Sequence, residues 1–139
     1  MGFYVTDQEE ARRFYTEKMG FEVRTDVTMD GGFRWLTLGL PEQPDLEVAL
    51  MEPKAGPTLD EESARALRTL VEKGAFGIGV LETDDCRTTY EELRKRGVEF
   101  VAPPEDKFYG VEAIGKDNSG NWFSMTEHRP AAGQPDRPA

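Results

Sequence analysis

Apolar residues change their spacing several times along this chain, and each change marks an element. Phe3-Tyr4-Val5 is a short apolar run that ends at Thr6-Asp7. Ala11, Phe14, Tyr15 and Met19 then recur at the spacing of one helical face, up to Gly20. Asp7 with Glu10 three residues later forms a capping pattern for that helix, and Gly20 is a stop signal. A strand after Gly20 runs to the turn Asp30-Gly31-Gly32, a hairpin signal, and a second strand covers 33–38. A proline-rich loop over 41–44 leads to a strand at 46–51, where Leu46, Val48 and Leu50 alternate with Glu47, Ala49 and Met51. A capping pattern over Thr58–Glu61 opens a helix carried by Leu67, Leu70 and Val71 and closed by Gly74.

The order then repeats: strand 78–82, helix 84–96, strand 98–101, strand 110–115, the turn Asn118-Ser119-Gly120 and strand 121–126. Gly2, Thr6, Asp7, Lys18, Gly20 and Glu22 reappear 77 residues on as Gly79, Thr83, Asp84, Lys95, Gly97 and Glu99. Two copies of one unit this long exclude a solenoid. They predict an α+β fold of two βαβββ modules, whose strands make a curved, mixed, eight-stranded sheet with a concave trough. Residues 1–127 read as one domain, with halves 1–53 and 76–127 and a helical linker 54–75. Residues 128–139, rich in Pro and Ala without periodicity, read as a disordered tail that carries the only histidine, His128.

Alternation names the trough's lining. With Leu46, Val48 and Leu50 turned to the core, Glu47, Ala49 and Met51 face inward. Leu36 and Leu38 leave Trp35 and Thr37 inside. Carried across at 77 residues, Trp35 maps to Glu112 and Glu47 to Ser124, with Trp122 and Thr126 on the same face. Tyr4, Ile78 and Val80 complete the lining. Indoles, aliphatics, two carboxylates and hydroxyls make a mixture suited to a small molecule.

Charge narrows the ligand. Lys and Arg number 17 against 27 Asp and Glu, a net charge of −10. That excess disfavours nucleic acid and favours a cationic partner. One cysteine, Cys86, excludes an internal disulfide, and no apolar run reaches the length of a membrane span; both point to the cytoplasm, with no membrane partner.

The segments Val5-Thr6-Asp7-Gln8, Phe14-Tyr15-Thr16-Glu17-Lys18-Met19-Gly20-Phe21, Phe33-Arg34-Trp35-Leu36-Thr37 and Asp117-Asn118-Ser119-Gly120-Asn121-Trp122 strongly resemble the vicinal oxygen chelate superfamily. Its members include glyoxalase I, bleomycin-resistance proteins and extradiol dioxygenases. The resemblance spans residues 2–127 and implies the paired-module fold and a homodimer. It also implies where a metal would sit: a His or Gln opening each half and a Glu on its last strand. Those positions fall at or before Met1, on Glu47, on Ile78 and on Ser124. One ligand of four remains, so no metal and no cofactor are expected.

Two functions remain open. The first is a metal-independent binding protein of the bleomycin-resistance type, an antibiotic-resistance role, holding an aromatic, cationic small molecule against Tyr4, Trp35, Thr37, Glu47, Ile78, Glu112, Trp122 and Ser124. The alternative is a glyoxalase- or dioxygenase-like lyase or isomerase, in which Glu47, desolvated between indoles, acts as general base.

Overall fold

The structure, a computed structural model, describes residues 1–129. Its elements run β1 (Gly2–Tyr4), α1 (Gln8–Arg13), a π-helical turn (Phe14–Lys18), β2 (Glu22–Thr28), β3 (Arg34–Leu40), β4 (Gln43–Met51) and α2 (Glu61–Glu72). The repeat follows as β5 (Gly77–Glu82), α3 (Cys86–Lys95), β6 (Glu99–Lys107), β7 (Gly110–Lys116) and β8 (Trp122–His128). The eight strands are shared between two four-stranded sheets, ordered β1-β4-β3-β2 and β5-β8-β7-β6. In each, the first strand runs parallel to the fourth, and the other neighbours are antiparallel.

Two compact units carry these sheets. One is Met1–Phe76 with Asp117–Asn121; the other begins with Gly77–Lys116 and resumes at Trp122. The first unit buries Leu36, Leu38, Val48 and Leu50 from its sheet, with Tyr15 at the centre of an aromatic group of Phe3, Phe14 and Phe21. The second buries Val111, Ala113, Phe123 and Met125, and Phe100 stacks edge-on between Tyr90 and Phe123.

Each of α1, α2 and α3 starts on an aspartate whose carboxylate accepts an amide of the first turn: Asp7 from Glu10, Asp60 from Ser63 and Asp85 from Thr88. Two of these differ from the sequence reading, which opened α2 at Thr58 and α3 at Asp84. The second difference explains the π-helical turn. Residues 8–19 separate the first cap from its glycine stop at Gly20, and residues 86–96 separate the second cap from Gly97. The first helix therefore holds one residue more, and a turn with i→i+5 bonding absorbs it.

Other departures have similarly local causes. The proline-rich stretch 41–44 closes as a two-residue turn, because Leu40 pairs with Gln43 and β4 starts there. Strand β6 extends through Pro103 and Pro104 to Lys107, which its edge position permits, since an edge strand tolerates missing donors. His128 is not in a tail: it ends β8 opposite Gly110, with Nε2 3.3 Å from Glu82. The remainder of the expected tail, residues 130–139, lies outside the described residues.

Asp117–Asn121 enters the first unit through buried polar contacts. Asp117, 5% exposed, accepts the amides of Ser119, Gly120 and Asn121 on Oδ1 at 2.9–3.0 Å. Its Oδ2 accepts the Tyr15 hydroxyl at 2.8 Å and Asn121 Nδ2 at 3.1 Å. Asn121 Nδ2 also donates to the Tyr4 carbonyl at 2.8 Å, and the Thr6 amide donates to Ser119 Oγ at 2.9 Å. Gly120 is required, with φ at +113° and a hypothetical Cβ only 2.6 Å from the Val71 carbonyl oxygen. Burial first, then the neighbouring Asp117 charge, pushes the Tyr15 hydroxyl well above its ordinary pKa, so it stays a donor.

A second polar set ties α1 to the β2–β3 hairpin. Arg34 forks onto Asp26 with two bonds of 2.8 Å and reaches Glu9 at 3.1 Å; Arg12 also pairs with Glu9. The hydrogen bond from Arg12 does most to hold the Glu9 carboxyl down to about 2; desolvation opposes it and Arg34 adds to it.

Two outcomes are expected. Tyr15→Phe keeps the aromatic group but removes a buried bond to a carboxylate, so it should cost about 1.5–3 kcal/mol in urea unfolding; an unchanged midpoint would show that Asp117 does not depend on Tyr15. The Glu9 carboxyl lies lower in the folded chain than its ordinary value near 4.5. Its stabilisation is therefore present above that value and lost as pH falls toward 2. An NMR titration should place Glu9 near 2, and Arg12→Gln should raise it and flatten the acid limb of stability.

Candidate functional site

Strand pairing fixes which expected residues share a face. In the first sheet, Leu36 lies opposite Leu50 and Leu38 opposite Val48, all four buried in the core. Trp35, Thr37, Glu47, Ala49 and Met51 therefore occupy the other face. Thr37 and Ala49 form its central pair. Trp35 stands two residues to one side of that pair and Glu47 two residues to the other. Tyr4, half-buried, pairs with Met51.

In the second sheet, Ala113 lies opposite Met125 and Gly115 opposite Phe123, again core positions, and the Phe123 ring fills the space a side chain at Gly115 would take. The other face carries Glu112 opposite Thr126, Ile114 opposite Ser124 and Lys116 opposite Trp122. Val80 pairs with Ser124, but the ladder is irregular between Gly77 and Val80, so alternation does not fix Ile78. The Trp122 indole occupies the space a side chain at Gly77 would take: a Cβ there would come within 2.4 Å of it.

These pairings divide the single 77-residue offset. Leu36 corresponds to Ala113, 77 residues on, but Leu50 corresponds to Met125, 75 residues on. The helix starts differ by 78: the Gln8 amide donates to Glu52 as the Cys86 amide donates to Glu127. Trp35 and Glu112 are thus equivalent, as expected, whereas the equivalent of Glu47 is Trp122 and that of Ser124 is Ala49. A uniform offset misses this because two residues are lost between the third and fourth strands of the second module.

The correction reveals an exchange. Trp35-Leu36-Thr37 on the third strand of one module matches Trp122-Phe123-Ser124 on the fourth strand of the other. Glu47-Val48-Ala49 on the fourth matches Glu112-Ala113-Ile114 on the third. Each module presents one indole, one hydroxyl, one carboxylate and one apolar side chain at the same four positions, with the strands swapped.

The hydroxyls hold the carboxylates. Thr37 Oγ1 donates to Glu47 at 2.6 Å, and Thr25 Oγ1 lies 3.5 Å from the same oxygen. Ser124 Oγ and the Tyr109 hydroxyl donate to the two oxygens of Glu112, and Ser124 also contacts Thr126 at 2.8 Å. Burial alone would raise the Glu112 carboxyl, but the bonds from Ser124 and Tyr109 outweigh it and hold the group below its ordinary value. Thr25 and Tyr109 were missed in the sequence. Tyr109 stands three residues from Glu112, beyond the predicted strand, and Thr25 is placed only by its pairing with Thr37.

Exposure separates these groups. Trp35 and Trp122 are 36% and 39% exposed, while Thr37, Ser124 and Thr126 are buried. Glu47 is exposed, not desolvated between indoles as expected. Ile78 offers no donor, and among the described residues no group of three or more His, Cys, Asp or Glu side chains converges as metal ligands. The residues present do not fit the divalent ion used by metalloenzymes of this fold. A cavity of about 290 Å³ opens along α2 beside Pro53, Ala64, Arg65 and Arg68, and none of the expected site residues lines it. No described helix is long and apolar enough to cross a membrane.

Comparison with known proteins agrees with this architecture. The chain is 35% identical over 124 residues to the uncharacterized protein YetH of Bacillus subtilis (strain 168), covering 89% of this chain and 92% of that one. Among solved structures it superposes on UcmS2 with a TM-score of 0.85, at 46% identity, over 91% of this chain and 94% of that one. It superposes on TnmS3, an antibiotic binding protein from Streptomyces sp. CB03234, with a TM-score of 0.67, at 27% identity, over 92% and 93%. The family model of the Glyoxalase/Bleomycin resistance protein/Dioxygenase superfamily matches residues 1–125, and the chain belongs to that superfamily.

Proposed function

We propose that this protein binds an aromatic, cationic small molecule without a metal or other cofactor, in the manner of a bleomycin-resistance protein. The observation that carries this reading is the exchanged set: each sheet presents a half-exposed indole and a hydroxyl-held carboxylate on one face. An indole attracts a cation through its ring, by about 0.5–2 kcal/mol per contact. A carboxylate fixed by Thr37, or by Ser124 and Tyr109, is an oriented counter-charge that needs little reordering when a cation arrives. The net charge of −10 draws cations toward the surface. The similarity to TnmS3, described as an antibiotic binding protein, supports a ligand of drug size.

The enzymatic alternative needs a carboxylate raised into the neutral range. Glu47 is exposed and Glu112 is held low, so both suit charge recognition better than proton abstraction. We further propose a homodimer, because each sheet ends in strands with one free edge, and edges of this kind are commonly paired or covered, and a cytoplasmic location, which a single cysteine suits.

Tryptophan fluorescence quenched by a panel of cationic and neutral aromatic dyes tests the binding reading. Glu47→Gln should weaken the cationic dyes tenfold or more, about 1.5–3 kcal/mol for a charge-assisted contact, and leave the neutral ones unchanged. Trp35→Ala and Trp122→Ala should weaken both classes. Equal affinity for charged and neutral dyes would remove the role given to the carboxylates. Chelators should leave dye binding and thermal unfolding unaltered, and light scattering at micromolar concentration should give twice the chain mass.

A further inference from the structure

The β2–β3 hairpin of the first module carries apolar side chains where a hairpin tip is ordinarily polar. Val27 pairs with Trp35, and the Met29 amide bonds to the Phe33 carbonyl at 2.7 Å across the tip. Alternation from Thr25 and Thr37 places Val27, Met29, Phe33 and Trp35 on one face, opposite the side where Asp26 and Arg34 join Glu9. All four are exposed, at 48%, 50%, 54% and 36%. The turn between them contains Gly31 and Gly32, with φ of +89° and +86°.

The fold itself does not call for this patch. In the second module, Glu105 pairs with Glu112 and Lys107 with Gly110. With Trp35 equivalent to Glu112, these four residues take the places of Val27, Trp35, Met29 and Phe33. The same hairpin thus closes with two glutamates, a lysine and a glycine. The turn of that second hairpin leaves one large apolar side chain, Phe108, in water, whereas the first tip gathers four on one face, and a set of that kind points to a ligand rather than to folding.

Resting on the binding role proposed for Trp35, we propose that Val27, Met29 and Phe33 form an apolar clamp that selects ligands with an extended ring system. The patch adjoins the indole on the same face, so a molecule stacked on Trp35 and longer than one ring reaches Val27 first, then Met29 and Phe33. Its size favours a small molecule over a second copy. Four half-exposed large side chains present on the order of 350 Å², taking roughly 150–250 Å² for a large side chain. A stable protein interface buries about 800 Å² per partner. A methionine and a phenylalanine beside a Gly-Gly turn can adapt to rings of different outline.

The test uses two probes: acridine orange, a three-ring cation, and N-methylpyridinium, a one-ring cation. The double variant Met29→Ser, Phe33→Ser should weaken acridine orange tenfold or more and N-methylpyridinium less than twofold. Trp35→Ala should weaken both. The two substituted positions are exposed, so the urea midpoint of the double variant should match that of the parent chain. If Trp35→Ala weakens acridine orange and the double variant does not, the clamp is overturned while the binding function stands. If neither variant alters either probe, both fall. If the double variant keeps its affinity but halves the mass by light scattering, the patch joins two copies and the clamp is overturned.

Discussion

The carboxylate of Asp117 organises the first unit. Five donors converge on it inside the protein: three amides of its own turn, the side-chain amide of Asn121 and the hydroxyl of Tyr15. A buried carboxylate lacking most of these bonds would be costly, so the turn and its partners form together or not at all. Tyr15 reaches this position from the π-helical turn, which exists because the first helix is one residue longer than its repeat. One inserted residue, a tyrosine carried on the turn that absorbs it, and the capture of a segment distant in sequence are thereby linked. Asn121, bonded also to the Tyr4 carbonyl, carries the same constraint to β1.

The two modules keep their scaffold and exchange their chemistry. Core positions are conserved in character: Leu36 and Ala113, Leu50 and Met125, Val48 and Phe123 all face inward. Where Leu38 is replaced by Gly115, the larger ring of Phe123 restores the volume. On the opposite face the constraint is weaker, and there the indole and the carboxylate trade strands. In both modules the hydroxyl stays with the indole, two residues away, and donates to the carboxylate on the neighbouring strand. This two-residue spacing of Trp and Thr or Ser along one strand sets the geometry, because side chains two apart on a strand share a face by necessity.

Much of this was legible in the sequence. The modules, the faces of the third and fourth strands and the core residues follow from alternation, which strand geometry makes rigid. The glycine stops at Gly20 and Gly97 and the cap at Asp7 were equally plain. What failed were statements that needed exact counting between elements. Identities such as Asp7 and Asp84 suggested one offset, yet Asp85 takes the cap, and a two-residue difference before β8 moves the partner of Glu47 from Ser124 to Trp122. Insertions are invisible to a fixed offset because a π-helical turn or a shortened hairpin absorbs them without changing composition. The exposure of Glu47 was hidden for another reason: alternation gives a direction, not a depth. His128 looked like tail because charge and proline follow it, but its pairing with Gly110 depends on the length of the opposite strand.

The hydroxyl partners finally bear on what these carboxylates can do. A general base must accept a proton readily, and a carboxylate that already receives hydrogen bonds on its oxygens is made less basic by each of them. Glu112 receives one on each oxygen and is held low. On the binding role proposed above, such a group stays charged beside a cation and is oriented before the ligand arrives. The indoles fit the same proposed role: each keeps over a third of its surface open, and the missing side chain at Gly77 leaves room for the Trp122 ring. An open aromatic surface and a fixed charge on one face, with the hydroxyl between them, are the features on which the proposed binding role rests.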